Sequence, residues 1–499
     1  MLFADFPSLP SSDVLLELVA VFHQRVVPST PFMPSLALPE AGAPLYLVLP
    51  MALLGAGVSP NKAQNLLADT LWHASNNLLT GVLEIDNSIA SRMDLMQAAL
   101  LMVLYGLLQA DVDVWHKTQT CSGYVDTSMD RLMRKEIRAW AEQPGASDDS
   151  SAMSNLICFY FLVDTLRAVH LQTLPALVPS QTSFPLSTGH SFQDLYTTLV
   201  VDHAPLPTGL TSDGHLVLLL ALVSDVVSLA HMAGAYLPHD IAYQGACSTE
   251  RPLFDKLHPT VRERGITEAD IQRSRPGAGY VNPFLPSTAT SEYLVVRRRL
   301  YSALDAFCRS VGLASGTAAP TTASPAAMPI PDQLPDHVLA PSFDPTIVPL
   351  VQFCRMALEA GPTAHLLPAL AGYTPQDPAA DVPSPAASLV DWHAVGLRFT
   401  NVTVSSAWQV LETVDGSHRH GHAAEEPGLI TPIWYPILVF QAALVLWGQT
   451  MEAKDSARVA GGVVLAKKKV LGAFQLELEQ MTPAWGCTKR MIDTIKALK

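Results

Sequence analysis

The chain has 499 residues, of which 49% are hydrophobic and 15% charged, with a formal net charge of −14. Such a composition implies either a large interior or apolar surface kept for a partner. The negative charge argues against a broad electrostatic grip on phosphates, which depends on Lys and Arg displacing counterions, and leaves room for local basic patches.

In chain order, Val14, Leu15, Leu18, Val21 and Phe22 fall on one face of a first helix, with Ser12 or Asp13 placed to cap it. Helical patterns continue through about residue 142. Residues 143–152 (Gln-Pro-Gly-Ala-Ser-Asp-Asp-Ser-Ser-Ala) read as a surface loop. An apolar helix follows from Asn155, with Asp164 near its end. Residues 315–345 hold seven prolines among Ala, Ser and Thr, which removes backbone donors and blocks helix, so a disordered linker is expected. A shorter segment of the same character spans 373–388, after a helical stretch at 346–370. The expected organisation is an N-terminal helical part (1–314), the linker (315–345) and a C-terminal helical part (346–499).

Residues 427–451 carry no charge and are long enough for a membrane span. Pro432 and Pro436 interrupt the first third, and Gln441 and Gln449 lie within, so a buried helix is expected instead. Two amphipathic helices close the chain. One covers 474–481, and the other carries Met491, Ile492, Ile495 and Leu498, with Trp485 between them. The fold class expected is all-α, a multi-helical bundle or solenoid-like body of roughly twenty helices in one or two lobes with a Pro-rich disordered insertion.

The order of these segments carries a resemblance. Val21-Phe22-His23-Gln24-Arg25-Val26-Val27-Pro28 precedes the apolar run 45–59, which ends in Gly-Ala-Gly-Val-Ser. Ala63-Gln64-Asn65-Leu66-Leu67-Ala68 and then Gln97-Ala98-Ala99-Leu100-Leu101 lead to Tyr105-Gly106-Leu107. An apolar helix preceded by Pro and the closing helix–Trp–helix complete the pattern. Over residues 14–203 and 390–499 the chain resembles the fungal-specific transcription factor domain, the helical middle homology region found behind zinc-cluster or zinc-finger DNA readers. It departs from the pattern where Gln24 follows His23 and where Ser29-Thr30 stand in place of a second His.

The six cysteines (Cys121, Cys158, Cys247, Cys308, Cys354, Cys487) lie far apart, without the ~2–4-residue spacing through which two thiolates meet one zinc ion. Such thiols suit a reduced, intracellular chain. Residues 1–20 are too few for a DNA reader, and the start lacks the basic and apolar regions of a secretory signal. The resemblance therefore implies a nuclear transcription-regulatory protein without its own DNA-binding module. It would act through partners in the transcription machinery, a related DNA-binding regulator or a small ligand, with a secondary-metabolite gene cluster as one setting. The alternative is an enzyme or binding protein that uses the same scaffold for a small apolar metabolite.

Candidate sites are sparse. His418, His420 and His422 would face one side of an extended strand and could hold a metal, although between Gly416 and Pro427 they also read as a solvated loop. Arg131, Arg134, Lys135 and Arg138 share one helical face that could dock an acidic partner or serve nuclear import, or simply lie in solvent. Asp111, Asp113, Asp148, Asp149 and Asp94 invite comparison with helical terpene cyclases, but lack the grouped carboxylates that hold magnesium around a diphosphate. No nucleophile elbow, phosphate loop or dinucleotide fingerprint is present. No catalytic residue or cofactor is assigned, and a non-enzyme is favoured.

Overall fold

The computed structural model describes residues 6–33, 43–85, 92–109, 112–142, 149–236, 289–313, 344–360, 364–373, 399–421, 431–452, 456–458, 464–482 and 485–499. The Pro-rich stretch 315–343 and residues 374–388 lie outside them. The fold is all-α, as the periodicity predicts. One short antiparallel hairpin is added, β1 (Ser456–Arg458) and β2 (Val464–Ala466), with Ser456 opposite Ala466.

Helix α1 (Ser12–Val21) packs on α2 (Leu45–Gly57). The N-cap of α1 is Ser11, one residue earlier than the sequence suggests, and no side chain caps it. The two helices approach so closely that a Cβ on Gly55 would collide with the Leu18 carbonyl. After the single turn α3 (Lys62–Asn65) come α4 (Leu67–Ile85), α5 (Met93–Leu108) and α6 (Val112–Glu142). In α5 every residue from Ala98 to Leu108 is buried, because apolar side chains face neighbours all round rather than along one stripe. Helix α6 instead buries one stripe: Trp115, Thr118, Ser122, Val125, Met129, Leu132 and Met133. Gly106 sets the α5–α6 crossing, since a Cβ there would sit 2.5 Å from Thr118 Oγ1.

Helix α7 (Asp149–Leu171) begins inside the stretch 143–152 that composition assigns to a loop, so Asp149 to Ala152 are helical. A returning loop is pinned by aromatic stacking: Phe184 lies 4.9 Å from Phe192, and Phe192 5.8 Å from Tyr196. Phe192 and Tyr196 belong to α8 (Phe192–Thr197), and α9 (Ser212–Tyr236) packs on α7.

The later helices are α10 (Ala289–Ser310), α11 (Val348–Ala360), the single turn α12 (Leu367–Leu370), α13 (Asn401–Gly421), α14 (Tyr435–Glu452), α15 (Lys467–Met481) and α16 (Thr488–Leu498). The charge-free run 427–451 contributes α14, buried throughout residues 433–450 against α11, α13 and α15. Pro436 stands in its first turn, where a missing N–H costs no helical bond. The two halves of the chain are stitched together: Cys487 N–H donates to the Leu108 carbonyl at 2.8 Å, Ile433 N–H to the Ser29 carbonyl at 3.4 Å, and Gln441 Nε2 to Val169 O at 3.3 Å. One hydrophobic core runs from Leu15 to Leu498. Two helices, Ala152–Leu171 and Ser212–His231, are long and apolar enough to cross a membrane by composition, and their windows are 83% and 78% buried inside the fold.

Candidate functional site

Among the described residues, a group of buried charges joins α6 and α7 inside this apolar body. Helix α7 carries only Asp164 and Arg167 as Asp, Glu, Lys or Arg between Ala152 and Leu171. Their i,i+3 spacing puts both on the face turned to α6. Arg167 Nη2 donates to Asp164 Oδ1 at 2.5 Å, and Nη1 reaches Asp126 Oδ2 on α6 at 3.2 Å and the Ser122 hydroxyl. Tyr160, one turn earlier on α7, donates its hydroxyl to Asp126 Oδ1 at 2.6 Å. Asp164 Oδ2 accepts the Leu177 N–H at 2.9 Å, which fastens the loop after α7 over the cluster.

Burial grades the members. Asp164 is 1% exposed, Arg167 14% and Asp126 30%. Burial drives the Asp164 carboxyl above its ordinary value, against the opposing pull of Arg167 and the backbone N–H groups of Leu177 and Ala176. Burial also works against the Arg167 charge, but Asp164 and Asp126 outweigh it and hold the guanidinium above its usual value. Burial, followed by the charges of Asp164 and Asp126, raises the Tyr160 phenol far enough to keep it neutral. Two carboxylates therefore share one guanidinium.

Asp126 is the wall between two hollows. One, of about 400 Å³, is lined by Asp130, Met133, Arg134, Tyr160, Leu177 and Thr182 besides Asp126. The other, of about 300 Å³, is lined by Trp115, Ser122, Asp126, Arg167, Leu171 and Leu174 among others. The Nε atom of Arg167 and the Nε1 of Trp115 lie below the surface without a hydrogen-bond partner. A third recess, apolar and about 40 Å³, lies between Val169, Val226, Phe353, Met356, Gln441 and Val445.

The basic residues read from the sequence lie on α6, next to this cluster. Arg134 is tied to Asp130 through Nε at 3.0 and 2.9 Å, in a pair whose side chains are 70% and 54% exposed. Arg131 is exposed, and Lys135 and Arg138 continue the same helix. The histidine run does not form a strand or a loop: His418 and His420 are in α13, which reaches Gly421, and His422 lies outside the described residues. A helical backbone at His418 and His420 replaces the extended strand expected there. Among the described residues no three His, Cys, Asp or Glu side chains gather where a metal ion could sit. Asp94 is engaged by the Tyr46 hydroxyl at 2.8 Å and by Arg92 Nη2 at 2.7 Å, while Asp111 and Asp148 fall outside the described residues.

Away from the cluster, His170 is buried on α7 with Nε2 3.3 Å from the Tyr373 hydroxyl and Nδ1 unpartnered. Burial, aided by the charge of Arg490, brings its pKa down to about 4. The thiols are unsuited to nucleophilic work, because burial pushes Cys121 and Cys308 up to about 11 and Cys487 to about 12.

Sequence reading passed over Asp126, Tyr160, Asp164 and Arg167 as a group. The available signal was the i,i+3 acid–base pair inside an otherwise apolar helix, since charges in such a setting are buried only when paired. Compared with known proteins, the chain matches no family model, no curated protein and no solved structure.

Proposed function

We propose that this chain is a transcription-regulatory body without a DNA-binding module among its 499 residues, acting through a protein partner or a small bound ligand rather than through a reaction of its own. It works in the nucleus as coactivator, corepressor or competitor for a related regulator's dimer surface. The ordered sequence segments that resemble the fungal-specific transcription factor domain support the regulatory part of this reading. The observation that carries the ligand part is the buried Asp126–Arg167–Asp164 cluster, which holds α6, α7 and the following loop together and opens through Asp126 onto two hollows. A polar hub that joins three segments at the floor of a cavity can turn occupancy into a change of helix packing.

The alternative reading, a binding protein or enzyme for a small apolar metabolite, has less to draw on. Among the described residues, the apolar recess near Gln441 holds about 40 Å³, whereas ligand pockets run to roughly 300–1,000 Å³.

A tethering experiment tests the proposal. The chain is fused to an unrelated DNA-binding domain upstream of a reporter, with the fold checked by circular dichroism of the purified fusion. A regulatory body shifts output several-fold, up or down, from both basal and activated promoters. No shift in either promoter removes the regulatory reading. The purified chain alone is expected to form no sequence-specific complex in a gel shift at physiological salt.

A further inference from the structure

We propose that the hollow between α6 and α7 takes a small organic ammonium ion on an apolar or aromatic body, with Asp126 as its counter-ion. The inference deepens the regulatory reading by naming the ligand class, and it rests on that reading only for the claim that occupancy alters output.

Charge provides the first argument. The cluster sets the carboxyl groups of Asp126 and Asp164 against the single guanidinium of Arg167, with no second cation bonded to either among the described residues. Asp164 is enclosed and occupied by Arg167 and the Leu177 N–H. Asp126 differs. Each of its oxygens accepts one described donor, which leaves lone-pair capacity on both, and at 30% exposed it is the member that reaches the hollows. The nearby Asp130 is matched by Arg134 and supplies no spare cation.

Shape provides the second. Around the Asp126 carboxylate the 300 Å³ hollow presents Trp115, Leu171 and Leu174, which suit an apolar or aromatic body and a cation held beside an indole. An anion fits less well. It would meet Asp126 first, and the unpartnered nitrogens of Arg167 and Trp115 lie below the surface, where an entering acceptor does not touch them.

The test is calorimetric titration of the full chain with phenethylammonium and butylammonium, beside 2-phenylethanol and phenylacetate at matched ionic strength. Saturable single-site binding of phenethylammonium is expected, at least about tenfold tighter than either uncharged or anionic analogue. Asp126→Asn weakens it by at least about tenfold. Because Asp126 also holds Tyr160 and Arg167, a second variant separates binding from folding: Leu174, 57% exposed, is changed to Lys, whose own ammonium occupies the hollow. Leu174→Lys keeps the wild-type melting temperature and loses phenethylammonium. Failure of both amines to saturate at millimolar concentration overturns the proposal, as does tighter binding of phenylacetate or affinity unchanged in both variants. Amine binding with an indifferent tethered reporter upholds this site and removes the regulatory reading. A responsive reporter with no amine binding does the reverse.

Discussion

Replacing Asp164 by Ala is the most direct way to ask whether the buried cluster holds the fold together. Asp164 is 1% exposed, accepts Arg167 Nη2 at 2.5 Å and accepts the Leu177 N–H at 2.9 Å. Removing it leaves a guanidinium that is 14% exposed with only the 3.2 Å contact to Asp126 as its remaining ion pair. Breaking one side of a buried pair costs about 3–5 kcal/mol, because the surviving charge stays desolvated. An orphaned backbone N–H costs about 1–3 kcal/mol, but the two losses share one carboxylate and do not add in full. The expected destabilisation is therefore about 3–5 kcal/mol. Urea unfolding followed by far-ultraviolet circular dichroism measures it, with Asp130→Ala as the control. That exposed pair with Arg134 has the same residue types, and solvent screening leaves little to lose when it is removed. The double variant Asp164→Ala/Arg167→Met removes both charges and is expected to lose less stability than Asp164→Ala alone. A loss under about 1 kcal/mol for Asp164→Ala, equal to the control, would refute the argument that burial makes this pair different.

Other outcomes follow from the same structure. His170 has its folded pKa lowered to about 4 from 6.5, so the unfolded chain binds the extra proton. Its contribution to stability is complete above pH 6.5 and is lost as pH falls towards 4, by up to on the order of 3 kcal/mol; His170→Gln should flatten that part of the urea-midpoint profile, and an unchanged slope would contradict its burial as a neutral ring. Gly55→Ala drives a methyl into the Leu18 carbonyl and should cost about 1–3 kcal/mol or more in thermal or urea unfolding, whereas Gly123→Ala, where a Cβ meets nothing within 4 Å, should cost nothing and gain slightly from helix propensity. In the native state Cys121, Cys158, Cys308, Cys354 and Cys487 should resist alkylation at pH 8, since burial raises each thiol; rapid labelling of any of them, located by peptide mapping, would show that the core opens there.

Much of the fold can be read from local pattern. Stripes at helical spacing place α1, α15 and α16, and the charge-free run around Ile437 to Leu446 places α14, because helix formation and burial both follow from apolar periodicity. The pattern misleads where composition competes with context. Asp149, Ser150 and Ser151 look like loop residues, yet they form the first turn of α7. Gly416 and the histidines after it also look like a loop, but α13 continues through them to Gly421. A single glycine costs a helix only about 1 kcal/mol, which the packing of the preceding turns offsets: Trp408, Val410 and Val414 are buried.

The candidate site was harder to see for a reason that belongs to tertiary structure. Asp126 and Arg167 are 41 residues apart, and nothing local to either predicts that α6 and α7 bring them within 3.2 Å. What the sequence does contain is half of the relation, Asp164 and Arg167 one helical turn apart in a run that is otherwise apolar. A paired charge in that position satisfies itself only in part, since a guanidinium has five N–H groups and one carboxylate accepts at most two of them in good geometry. The unused donors require further acceptors on whichever helix packs against α7, and Ser122 and Asp126 are those acceptors. Of the two carboxyl groups, Asp126 is the one nearer solvent, 30% exposed against 1% for Asp164. Asp126, rather than the more deeply buried Asp164, thus joins the hub to both hollows, and it is the member on which the proposed ammonium ligand would act.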